Sequence, residues 1–150
     1  MIFEILITQS NNADFAKIVK LLDRDLSERN GELQNQYTQY NKMDHLRDVV
    51  IVYADKVPVG CGALKEYDNS TVEIKRIFIV KEYRRRGLSK LILSKLEEIA
   101  RQGGFLFALL ETGAKQTEAI GLYKNSGYKE IKNYGPYIGN GNSVCMKKEL

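Results

Sequence analysis

The chain has 150 residues, 43% apolar and 28% charged, the size and balance of one soluble globular domain; no run approaches the ~18 apolar residues of a membrane span, which excludes an integral membrane protein. Two cysteines, Cys61 and Cys145, make a disulfide framework improbable and point to a reducing cytoplasm, and the single histidine, His45, excludes His-rich metal sites and most His-dependent triads. The net charge is +4, but residues 70–103 hold nine basic against four acidic side chains, so an anionic partner is expected there rather than along a nucleic-acid track.

The opening MIFEILITQSNN carries Glu4 inside its apolar run and no basic region before it, so residues 2–8 are expected as a strand and not as a signal peptide. Phe15, Ile18, Val19, Leu22 and Leu26 recur at helical spacing and predict a helix over 13–29, broken at Gly31. The polar stretch 32–46, with Tyr37 and Tyr40 three apart, predicts a second helix. Residues 48–54 are a continuous β-branched run and predict a buried strand. Asp55-Lys56-Val57-Pro58 is turn chemistry, and residues 59–67 complete a hairpin. Asp68-Asn69-Ser70 makes another turn, and residues 71–80 continue an antiparallel meander.

That last strand, TVEIKRIFIV, changes parity. Val72 and Ile74 fall on even positions, Ile77 and Ile79 on odd ones. Side chains alternate faces with period two, so the change across Lys75-Arg76 requires one extra residue, a β-bulge. The plainer alternative packs Phe78 on the second face with no bulge. After the strand come Arg84, Arg85, Arg86 and Gly87, and a helix running to about Arg101, with Leu88, Leu91, Ile92, Leu96, Ile99 and Ala100 inward. Gly103-Gly104 stops it. Residues 105–110 (FLFALL) are wholly apolar and predict a central strand buried on both sides, which makes a βαβ crossover, right-handed by default. A further helix is expected over 115–126, ending at Ser126-Gly127, and two closing strands over 128–133 and 143–149, separated by the loop NYGPYIGNGN. The order of elements is that of one α+β domain with a mixed sheet, spanning 1–150.

Three arginines and a glycine between a strand and a helix start favour an anion. Amide groups at a helix N-terminus are unpaired and partly positive, Gly87 permits close approach, and Arg84, Arg85 and Arg86 add full charges. The pattern is neither a P-loop nor a dinucleotide-binding G-x-G-x-x-G. From charge alone, a solvated loop or a nucleic-acid contact remains open.

The segment VKEYRRRGLSKLILSKLEEIA resembles the acyl-CoA signature of the GNAT N-acetyltransferase superfamily, R/Q-x-x-G-x-G/A after a strand. Arg84 stands in the first position, Gly87 in the middle one, and Ser89 where Gly or Ala is usual. The proline common just before this signature is absent. Downstream, Gln116, Ala119, Leu122, Tyr123, Gly127 and Tyr128 resemble a second signature, N-x-x-A-x-x-L-Y-x-x-x-G-F, with Gln116 for asparagine and Tyr128 for phenylalanine. EIKRIFIV resembles the family's bulged fourth strand. The resemblance implies a mixed, mostly antiparallel sheet of six to seven strands, about four flanking helices, and a splayed, bulged fourth strand.

It also implies acetyl transfer from acetyl-CoA, as cosubstrate and without a metal, to a primary amine in a ternary complex. The pyrophosphate would lie on the amides of Arg85, Arg86, Gly87, Leu88, Ser89 and Lys90. The pantetheine arm would pair with the backbone of Ile77, Phe78, Ile79 and Val80, where an amide could stabilise the thioester oxyanion. A lysine-like amine has a pKa of ~10.4 and needs a base, for which Glu73 is the first candidate and Glu111 the second. Tyr123 is the candidate proton donor to the departing thiolate, with a core tyrosine as the plainer alternative. Gln116 is a candidate cofactor ligand. Cys61 and Cys145 are expected as buried small hydrophobes, and Tyr37, Tyr40, Tyr134 and Tyr137 either line the acceptor cleft or pack. The acceptor is a small-molecule or peptide amine, with no nucleic acid and no membrane, and the chain a monomer or homodimer. The rival reading is a non-catalytic acyl-CoA-binding regulatory module.

Overall fold

The structure is a computed structural model and describes residues 1–30 and 46–150, with the side chains of 1–25 and 46–150. The expected second helix over 32–46, with Tyr37, Tyr40 and His45, lies outside the described residues except for Leu46, which belongs to a strand instead; the side chain of Leu26 also lies outside them. Seven strands form one sheet: β1 (Phe3–Thr8), β2 (Leu46–Ala54), β3 (Val57–Glu66), β4 (Thr71–Ile79), β5 (Phe107–Gly113), β6 (Lys129–Ile131) and β7 (Ser143–Glu149). Their spatial order is β1-β2-β3-β4-β5-β7-β6. Every pairing is antiparallel except β4 with β5, which is parallel. Three α-helices are present among the described residues: α1 (Ala13–Asn30), α2 (Leu88–Gln102) and α3 (Thr117–Asn125).

The helices divide between the two faces as their apolar spacing requires. Asn12 caps α1, its Oδ1 accepting from the amides of Asp14 (2.8 Å) and Phe15 (3.1 Å). Phe15, Ile18, Val19 and Leu22 then pack on Val49, Ile51, Cys61, Ala63 and Phe78. On the opposite face Leu88, Ile92, Leu93, Leu96 and Ala100 of α2 cover Val50, Val52, Leu64, Val72 and Ile74. The close seat of α2 depends on Gly62, where a Cβ would come within 2.6 Å of Ile92 and 2.9 Å of Leu96. Tyr123, with Ala119 and Leu122 of α3, joins this second cluster.

The bulge lies where the parity change puts it. Cys61 pairs with Phe78 and Ala63 with Lys75, so two residues of β3 step past three of β4. Arg76 takes a left-handed conformation there, φ +60°, and the Cys61 thiol donates to the Arg76 carbonyl at 3.2 Å. The parallel ladder with β5 covers only Thr71–Phe107, Val72–Ala108 and Glu73–Leu109. Beyond it β5 stays paired with β7 to Gly113, while β4 stays with β3. The two strands therefore diverge into a wedge.

Some boundaries differ from expectation. The central strand begins at Phe107 rather than 105 and runs on through Glu111 and Thr112 to Gly113. The chain leaving α2 needs Phe105 and Leu106 for the approach: the Phe105 amide still donates to the Ala100 carbonyl, and Leu106 is exposed rather than buried. The polar end qualifies as strand because β7 pairs with it throughout. The strand expected over 128–133 shortens to Lys129–Ile131, opposite Lys147, Met146 and Cys145.

Candidate active site

The wedge places four features together. The first is the open backbone edge of β4. The Val80 amide donates to the Val59 carbonyl at 2.8 Å, so by the alternation of an antiparallel ladder Phe78 also faces β3. Ile77 and Ile79 face the wedge. Of the four residues expected to offer an edge, these two carry it, whereas Phe78 and Val80 are turned to β3. The Ile79 carbonyl is already taken by Nε of Arg84 at 2.9 Å.

The second feature is the N-terminus of α2. No side chain caps it, and the Leu91 amide makes the first closing bond, to the Gly87 carbonyl at 3.1 Å. The amides of Leu88, Ser89 and Lys90 consequently point out of the helix end. Gly87 has φ +76° and Arg85 φ +65°, which turns successive amides of this loop outward. A Cβ on Gly87 would meet nothing within 4 Å, so backbone angle rather than crowding favours glycine here. The three arginines are not equivalent. Arg84 lies over the Phe78 ring at 5.3 Å and reaches Asp25 of α1 at 3.8 Å, tying the loop to α1 and β4. Arg86 stacks on Tyr83 at 5.3 Å.

The third feature is Tyr123, 8% exposed, which approaches the wedge from the α2 face. Burial, and after it the charge of Glu111, pushes its phenol above the usual tyrosine range. The fourth is a polar cluster on the α1 face. Glu73 and Lys75 of β4 share that face with Glu111 of β5, since Val72, Ile74, Ala108 and Leu110 point the other way. Glu73 Oε2 accepts from the Tyr134 hydroxyl at 2.6 Å and lies 3.5 Å from Lys75 Nζ. Lys75 Nζ donates to the Tyr137 hydroxyl at 3.0 Å. Burial lowers the Lys75 amine from its ordinary value, against the opposing pull of Glu73. Glu111 Oε2 accepts from Ser143 Oγ at 2.6 Å. Burial raises the Glu111 carboxyl, and the Ser143 bond and the Lys75 charge only partly offset this.

Residues 15–128 match the sequence model of the acetyltransferase (GNAT) family. The chain belongs to that family. An IAA acetyltransferase of Azospirillum brasilense is 34% identical over 93 residues, 61% of this chain and 61% of its own length; the chain thus spans under two thirds of that curated relative. A Klebsiella pneumoniae protein assigned as an acyl-CoA N-acyltransferase has the same fold with a TM-score of 0.81 and 28% identity, covering 99% of this chain and 98% of the other. A GNAT-family acetyltransferase of Elizabethkingia anophelis, solved with acetyl-CoA bound, shares the fold at a TM-score of 0.71 and 18% identity, covering 99% and 98%.

In this GNAT chain the sequence-derived site residues fall into two groups. Tyr123, Ile77, Ile79 and Gly87–Lys90 border the wedge or the uncapped helix end beside it. Glu73 lies at its closed end, where the ladder with β5 stops. Gln116 precedes α3, its Oε1 accepting from Thr112 Oγ1 at 3.4 Å. The structure adds Lys75 and Ser143 to the residues the sequence offers, and Tyr134 and Tyr137, for which the sequence allows either lining or packing, both bond the polar cluster. The loop after β6 passes β7 and β5 to bring both tyrosines onto β4, with Asn133 holding its turn through the carbonyls of Tyr137 (3.1 Å) and Asn140 (2.9 Å). Contacts between positions more than 60 apart leave no local pattern in the sequence. Cys61 and Cys145 are both buried and free, and burial pushes the Cys61 thiol up to about 12.

Proposed function

We propose that this chain is a cytoplasmic, single-domain N-acetyltransferase that moves an acetyl group from acetyl-CoA to a primary amine by direct attack in a ternary complex. The observation that carries this reading is the wedge between β4 and β5, with an uncapped helix N-terminus at one side and Tyr123 and Glu111 on opposite faces. The chain's residues suit the cosubstrate. The amides of Gly87–Lys90 would hold its diphosphate, with Arg85 and Arg86 adding charge. The outward backbone groups of Ile77 and the amide of Ile79 would hold its amide-bearing arm as an added strand. When bound, acetyl-CoA supplies an activated acyl group.

The protein's part is proton handling from two sides. On the α1 face, a base must take a proton from the incoming ammonium. Glu73 has the Tyr134 hydroxyl and Lys75 on one oxygen, whereas Glu111 has a raised pKa and lies in the open part of the wedge. We assign the base to Glu111 and a positioning role to Glu73. On the α2 face, Tyr123 keeps its proton at neutral pH and can donate a hydrogen bond to the departing sulfur. The two groups are coupled. The negative charge on Glu111 helps to raise the Tyr123 pKa, so a proton arriving on Glu111 makes Tyr123 the stronger acid as the sulfur leaves.

A thiol-release screen with acetyl-CoA across small amines tests the reading. Release that depends on the amine and falls on Tyr123→Phe supports it. No release with any amine, while acetyl-CoA still raises the melting temperature, favours the regulatory module.

A further inference from the structure

Arg76 combines backbone strain with an unanswered buried donor. Its side chain is 6% exposed, and Nη1 meets Asp23 of α1 at 2.8 Å. Its Nε is buried without any hydrogen-bond partner, the one such side-chain atom among the described residues. Buried N–H groups are almost always paired, and an orphan calls for a partner, either an ordered water or an acceptor that arrives later. The residue is also held at φ +60° by the bulge, a conformation that costs free energy for a side chain with a Cβ. The same bulge orients Arg76 beneath α1, on the face that carries Glu73, Lys75 and Glu111.

We propose that the acceptor bears a carboxylate as well as its amine, and that Arg76 Nε donates to that carboxylate. The inference rests on the acetyltransferase reading and names its substrate class. A guanidinium is a planar fork, and Asp23 engages only one prong, so the Nε edge is left for a carboxylate oxygen. The charges agree. Glu111 presents a negative group to the amine, while Arg76 and Lys75 present buried positive charge beside the bulge. An amino acid matches both signs. A polyamine would bring a second cation against Arg76 and Lys75. Lys75 itself is bound by Glu73 and Tyr137 and is not assigned to the acceptor.

Matched pairs of acceptors test this: glycine against glycinamide, β-alanine against propylamine, and γ-aminobutyrate against butylamine, each with acetyl-CoA. In the parent, at least one carboxylate-bearing member is expected to have a kcat/KM about tenfold or more above its partner, the worth of one charge-assisted hydrogen bond. Arg76→Gln is expected to bring that ratio towards one. The heat of titrating the preferred amino acid into the CoA-saturated protein should vanish in the same variant. Where Arg76→Gln does not fold, Asp23→Asn serves instead: it removes the competing carboxylate and should lower the KM of the carboxylate-bearing member more than that of its partner. Equal kcat/KM within every pair in the parent overturns the inference while leaving the acetyltransferase reading intact, and identifies the Nε partner as bound water. An unchanged ratio in a folded Arg76→Gln also overturns it. Absence of transfer to any amine overturns both.

Discussion

The two ends of the β4–β5 pair behave differently. At one end Thr71–Glu73 and Phe107–Leu109 form a closed parallel ladder over an apolar face. At the other, the backbone of Ile77 and the amide of Ile79 face the wedge, and Glu111 stands where β5 no longer pairs with β4. One extra residue separates these ends. The bulge at Arg76 restores the side-chain alternation that core packing needs, and it coincides with the departure of β4 from β5. A closed sheet would hide the same backbone groups in hydrogen bonds. The site is therefore a pairing defect in the middle of a sheet, supported on one face by α2 and on the other by α1 and the tyrosine loop.

The largest expected effect breaks the open end chemically. Tyr123→Phe should lower kcat by about 10²–10⁴-fold, the usual range for a general acid, while CoA affinity measured by calorimetry stays within about twofold. Loss of binding instead would return Tyr123 to a packing role.

Glu111→Gln should lower kcat/KM by about 100-fold or more and remove the acid limb of its pH profile. In the parent, activity should fall as pH drops through a value above 4.5, because Glu111 must be ionised and burial raises its pKa. Stability should move the other way. A carboxyl whose folded pKa is raised contributes stability at low pH and loses it as pH rises through that pKa, so the glutamine variant should melt higher than the parent at neutral pH, with the gap closing as pH falls towards 4.5. The closed end provides the contrast. Glu73→Gln should cost less activity than Glu111→Gln and should leave the acid limb in place, since Glu73 orders Tyr134 and Lys75. If the limb disappears in the Glu73 variant and persists in the Glu111 variant, the two roles are exchanged.

Gly62→Ala attacks the support rather than the wedge. Its Cβ would press Ile92 at 2.6 Å, and the overpacking should cost about 1–3 kcal/mol in denaturant unfolding. Gly87→Ala should have the smallest stability effect, about 1 kcal/mol from its positive φ, with a weaker CoA affinity as the more sensitive readout. A variant with parental affinity would separate the helix N-terminus from the diphosphate.

Much of this was legible in the sequence because it is local. The parity change from Ile74 to Ile77 placed the bulge, and the helical spacing of Phe15–Leu22 and Leu88–Ala100 placed both covering faces, except that Leu91, expected inward, is exposed and Leu93 is buried in its stead. The glycine after three arginines marked the helix start. The fate of each arginine was not legible: Arg84 turns back to Ile79 and Asp25, a consequence of how α1 crosses the sheet. Nor were the partners of Glu73, because Tyr134 arrives from a loop 61 positions away. The apolar run FLFALL suggested a strand two residues early, since hydrophobicity does not distinguish a residue in the ladder from one that leads into it.

The most direct measurement is residue-resolved amide hydrogen exchange by NMR, with and without CoA. The account predicts that the amides of Ile77 and Ile79 slow markedly when CoA is added, together with those of Leu88–Lys90, while Phe78 and Val80 change little. Binding of CoA with no protection at Ile77 and Ile79 would contradict it.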